Sequence, residues 1–84
     1  MPYLDKAVRA SLEDGRLPMT GGELNYIIST VIDNFITRKG LSYATLNEAL
    51  GALECSKLEV YRCIIGPYED YKAKTNGGVF LNGR

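Results

Sequence analysis

The chain has 84 residues, with 10 basic and 10 acidic side chains, no His and two Cys. One small domain is expected, burying only roughly 60–65% of the surface its unfolded chain exposes. Zero net charge argues against a nucleic-acid binder held by phosphate neutralisation, and the lack of His removes the commonest general base and metal ligand.

Gly and Pro divide the chain at Gly15–Pro18, Gly21–Gly22, Gly40–Leu41, Gly66–Pro67 and Asn76–Gly78. The first piece, Pro2 to Asp14, predicts a helix of about three turns with a narrow stripe of Leu4, Val8 and Leu12. Pro2 suits its first turn, and Asp5 favours the positive end of the helix. Gly15 ends it.

The second piece opens with Thr20-Gly-Gly-Glu23, the spacing of a capping box. Leu24, Ile27, Ile28, Val31, Ile32, Phe35 and Ile36 then recur at helical spacing. Arg38 and Lys39 suit the negative end, and Gly40 suits a cap with positive φ.

Thr45-Leu-Asn-Glu48 has the same capping spacing, which predicts a third helix from Leu46 to about Ile65, stopped by Gly66-Pro67. At 100° per residue, Leu46, Leu50, Leu53, Val60, Tyr61 and Ile64 share one broad face. A short fourth helix is expected after Pro67, with Glu69 and Asp70 at its start. Residues 75–84 are expected to form a turn and an extended or flexible tail.

The short link Gly40–Ala44 favours an antiparallel pair of long helices. The expected fold is therefore all-α: a small helical bundle built on that pair, with short N- and C-terminal helices, in a single domain spanning 1–84. So thin a core points to a homo-oligomer, a dimer or higher. No apolar run nears the roughly 18 residues of a membrane span. The opening residues, with Asp5, Glu13 and Asp14 and no apolar centre, do not read as a secretory signal, so the expected compartment is the cytoplasm.

Lys57 is the most informative residue. It falls in the middle of the third helix's apolar face, with Glu54 about 60° away. A charge there is costly unless paired or wet. Either Glu54 and Lys57 form an i,i+3 pair at a subunit interface, or Lys57 snorkels, or the two make the polar floor of a ligand pocket. Tyr26 points away from the second helix's apolar stripe, which suits surface packing or contact with a partner or ligand.

Around the expected break, amides opening the helix after Pro67 suit an anion, with Arg62 and Lys72 adding charge. Glu69, Asp70 and a local Arg62–Glu59 pair favour plain capping instead. Gly21-Gly22 lacks the Lys-Ser/Thr of a phosphate loop. Cys55 and Cys63 lie roughly 12 Å apart on one helix, beyond disulfide reach, and without His they make no zinc site. No catalytic constellation is recognisable, so neither an enzyme nor a cofactor is expected.

Several segments together resemble a known pattern: Gly22-Glu-Leu-Asn-Tyr26, Gly40-Leu-Ser-Tyr43, Leu46-Asn47, Gly51-Ala-Leu-Glu-Cys55, Lys57-Leu-Glu59, Tyr61-Arg62, Pro67-Tyr-Glu-Asp70 and Lys72. The chain is similar to a small family of short proteins of unknown function encoded by bacteria and by phages or prophages. The similarity spans most of the chain, is most specific from Glu23 to Lys72 and is weakest in the first helix. It implies no assigned activity and a phage-linked setting inside the bacterial or infected host cell.

The function expected from all this is a non-enzymatic accessory binding protein acting through oligomerisation and protein contacts, a host protein among them. The alternative is a small-molecule binder that sequesters an anionic, nucleotide-like signal, with Lys57, Arg62 and Lys72 on phosphate and a Tyr on the base. Candidate contact residues are Tyr26, Glu54, Lys57, Arg62, Tyr68 and Lys72. Neither nucleic acid nor membrane is an expected partner, and no metal site is expected.

Overall fold

The computed structural model describes residues 4–77. All regular structure among them is helical: α1 (Lys6–Glu13), α2 (Gly21–Lys39), α3 (Tyr43–Val60), a π-helical turn (Tyr61–Ile65) and α4 (Gly66–Asn76). The last three follow one another without interruption as one 34-residue helix. The chain divides into two compact units, Met1–Ala49 and Leu50–Arg84, with α3 contributing to both. Among the described residues no helix is long and apolar enough to cross a membrane.

The helix boundaries follow from which side chains satisfy the end-turn amides. Asp5 caps α1, its carboxylate accepting from the Val8 N–H at 2.9 Å. This helix therefore starts at Lys6 rather than at Pro2, which lies outside the described residues. Thr20 caps α2, its hydroxyl accepting from the Glu23 N–H at 3.1 Å. Glu23 reaches back one residue further than a capping box requires, accepting from the Met19 N–H at 2.9 Å. At the far end, the Gly40 N–H donates to the Ile36 carbonyl at 2.8 Å with φ at +98°, a backbone shape that a side chain would strain.

The start of α3 differs from the expected one. Ser42, not Thr45, supplies the cap: its hydroxyl accepts from the Thr45 N–H at 3.1 Å. That leaves Thr45 inside the first turn, where it is buried, with its own hydroxyl accepting from Ser42. Glu48, freed from capping, pairs with Lys39 at 3.3 Å.

Gly66-Pro67 does not stop the helix. In a regular α-helix the ring of Pro67 would press on the Cys63 carbonyl, four residues back. The chain widens instead: the Gly66 N–H donates to the Tyr61 carbonyl five residues back, the spacing of a π-turn. A Cβ on residue 66 would sit 3.3 Å from that same carbonyl oxygen, so Gly there lets the wide turn close. The helix then continues through Thr75 and Asn76, two residues expected in the tail. The remainder of that tail, Gly78 onward, lies outside the described residues.

Tertiary packing is concentrated where α1 meets α2. Leu12 is buried there, and Ala49 and Thr45 are the other buried residues among those described. Ile27, Ile32, Phe35 and Ile36 of α2 are half-buried. The expected burial of the third helix's apolar face is not met, since every residue from Leu50 to Ile64 is exposed. Periodicity reports that a helix face is apolar; it does not report what covers it.

Two substitutions check this account. Thr20→Ala removes the α2 cap and is expected to cost about 1 kcal/mol in urea unfolding. Pro67→Ala restores an N–H and removes the ring, so it is expected to raise stability by about 1–3 kcal/mol with no loss of helical circular dichroism.

Candidate interaction surface

The exposed face of the long helix is built by spacing. Leu50, Leu53, Val60, Tyr61 and Ile64 fall on one side at intervals that keep them aligned. Leu50 is 61% exposed and Ile64 62%. Monomeric proteins rarely leave so contiguous an apolar strip in water, and Tyr and large aliphatics are the groups that make interface centres.

Lys57 stands within this strip as the sequence predicts, and its Nζ lies 3.3 Å from a Glu54 carboxylate oxygen. Both side chains are open to solvent, 63% and 58% exposed. Arg62 makes the other expected pair, with Glu59 at 3.0 Å, and Glu59 also accepts from the Cys63 thiol at 3.7 Å. Past the π-turn, the Lys72 ammonium lies 5.7 Å from the centre of the Tyr68 ring, a contact between neighbours one turn apart. Such exposed pairs each contribute little to stability. They do fix where charge sits along the apolar strip.

The structure does not converge Lys57, Arg62 and Lys72 on one point. They lie along a single helix, with Lys57 and Lys72 roughly 22 Å apart by rise alone. A phosphate group held by all three within one chain is therefore excluded.

Tyr26 is placed elsewhere, on the seam between α1 and α2. Its hydroxyl donates to the Glu13 carboxylate, a bond that ties the two helices. Glu13 holds the Tyr26 phenol above its ordinary value of 10.0, mainly through this hydrogen bond and further by burial. Arg9 bears on the same phenol, and its Nε is buried without a hydrogen-bond partner. At the turn between the helices, Arg16 pairs with Glu23 at 3.2 Å and donates to the Ser11 hydroxyl at 2.9 Å. The Arg16 hydrogen bond, followed by the Met19 amide, holds Glu23 below its ordinary 4.5. Sequence reasoning missed Glu13 and Arg16, because contacts across 13 and 7 residues leave no local signature.

A shallow groove of about 470 Å³ runs along the C-terminal half of α2, lined by Val31, Asn34, Phe35, Arg38 and Lys39. Lys39 sits 5.6 Å from the centre of the Phe35 ring there. Among the described residues, no group of three or more Cys, Asp or Glu is placed to hold a metal.

These features define a small all-α protein whose longest helix presents an apolar strip edged with ion pairs. The chain belongs to the family described as a domain of unknown function (DUF6899), whose model matches residues 1–79. No curated protein and no solved structure matches it.

The two titrating contacts make opposite predictions. Glu23 is lowered, so its contribution is complete above 4.5 and is lost as pH falls through its own value. Tyr26 is raised, so its contribution is complete below 10.0 and is lost as pH rises through its own value. Circular dichroism against pH is expected to show Glu23→Gln flattening only the acid limb. Tyr26→Phe flattens only the alkaline limb.

Proposed function

We propose that this chain is a non-enzymatic accessory binding protein that self-associates and acts through protein contacts made by the helix from Tyr43 to Asn76. The observation that carries this reading is the exposed strip from Leu50 to Ile64. Each Leu or Ile left in water forgoes roughly 1.5–3 kcal/mol that burial would supply. A small domain with so few buried residues commonly gains that stability from another chain. Glu54, Lys57, Glu59 and Arg62 are paired in open solvent, an environment unlike the desolvated pockets that acid–base chemistry uses. A phage or prophage setting, with a host protein as a further partner, is the context implied by the motif pattern from Gly22 to Lys72.

A second reading is the capture of an anionic, nucleotide-like signal. The feature that favours it is the α2 groove, where Arg38 and Lys39 adjoin Phe35. Two cations beside an aromatic ring suit phosphate and a stacked base.

Native mass spectrometry of the protein as purified from cells separates the readings. Self-association predicts masses at whole multiples of the chain. A retained small anion, lost in Arg38→Ala, moves the conclusion to the second reading. A monomer by sedimentation at high micromolar concentration overturns self-association. Leu53→Asp places a charge in the strip and is expected to weaken association at least about 10-fold by sedimentation, with helical content unchanged.

A further inference from the structure

We infer that the strip is covered by a second copy of the same helix lying antiparallel to it, with the two Glu54–Lys57 pairs meeting at the two-fold axis. This rests on the self-association reading above and adds its geometry. Leu50, Leu53, Lys57 and Val60 step by three, four and three residues along α3, and Ile64, four further on, lies in the π-turn. That alternation is the seam of a two-helix coiled coil, and all five positions are exposed. In the fuller heptad pattern Glu54 occupies the flanking position beside Leu53, next to the seam rather than in it.

Lys57 decides the direction. A parallel, in-register copy sets Lys57 against Lys57 of the second copy, two ammonium groups face to face at one layer. An antiparallel copy centred on residue 55 sets Leu50 opposite Val60 and Leu53 opposite Lys57. The two Lys57 layers are then roughly 6 Å apart along the axis, while each Lys57 lies within about 1.5 Å, along the axis, of Glu54 from the second copy. The pair already formed within one chain at 3.3 Å thus becomes half of a four-charge set in which each ammonium has a carboxylate of either copy beside it. One charged residue in an apolar seam is the known device for fixing register and orientation at some cost in stability. The chain's zero net charge places no repulsion between copies.

Disulfide trapping tests the direction. In a Cys55→Ser, Cys63→Ser background, Ser56→Cys puts thiols from the two copies on the same flank within roughly 3 Å along the axis if the helices are antiparallel. Ile64→Cys puts them roughly 27 Å apart in that arrangement and side by side in a parallel one. The expected result is rapid oxidation to a covalent dimer for Ser56→Cys and none for Ile64→Cys. Adding Lys57→Leu to each is expected to strengthen association and to let Ile64→Cys cross-link as well, since the register device is gone. A protein that sediments as an oligomer yet cross-links only through Ile64→Cys, or through neither, overturns the antiparallel seam and leaves self-association standing. A protein that sediments as a monomer overturns both.

Discussion

A helix cannot hide its own face from water. In this chain that constraint falls hardest on residues 50–64, where Leu, Val, Tyr and Ile side chains stand exposed on a helix of 34 residues. Isolated helices are marginal in water, and in proteins most helical stability comes from packing of an amphipathic face rather than from propensity. The capping bonds at Asp5, Thr20 and Ser42 decide where helices start, but each is a contribution of about 1 kcal/mol. The large favourable term open to this protein is the covering of that strip.

The π-turn at Tyr61–Ile65 bears on the same strip. An extra residue in one turn rotates everything beyond it relative to what precedes it. The three-four alternation that runs through Leu50, Leu53, Lys57 and Val60 reaches Ile64 inside this turn, and it is there that the helix changes phase. Tyr68, Tyr71 and Lys72 therefore belong to a differently oriented surface, one that carries an aromatic–cation contact rather than a leucine ladder. Gly66 and Pro67 thus end the apolar seam without ending the helix.

What the sequence makes legible is what is local. Thr20 with Glu23, Gly40 after Lys39, and the i,i+3 pairs Glu54–Lys57 and Glu59–Arg62 all depend on neighbours within one turn, and all appear in the structure. Where two local solutions overlap, the reading is ambiguous. Ser42 and Thr45 both have capping chemistry three residues apart, and Ser42 takes the cap while Thr45 is buried. Gly66-Pro67 has a stop signature, but it also has a wide-turn solution, and the chain adopts the second. The Tyr26–Glu13 bond joins residues far apart in sequence and leaves no trace in spacing. The all-α class was therefore readable, and so was the odd placement of Lys57. Whether its face lay in a core or at a surface was not, because both produce the same periodicity.

Lys57 also shows why an uncovered face need not be indiscriminate. A strip of unbroken leucine pairs with itself in several registers and in both directions, and with other apolar surfaces as well. One ammonium group in the strip, tied to a carboxylate three residues earlier, penalises every arrangement that leaves it against hydrocarbon or against another cation. The favoured partner must bring a carboxylate to within reach of that one layer and apolar groups to most of the others. The same helix, reversed, meets both demands, because its own Glu54 lies one residue beyond the Leu53 that faces Lys57.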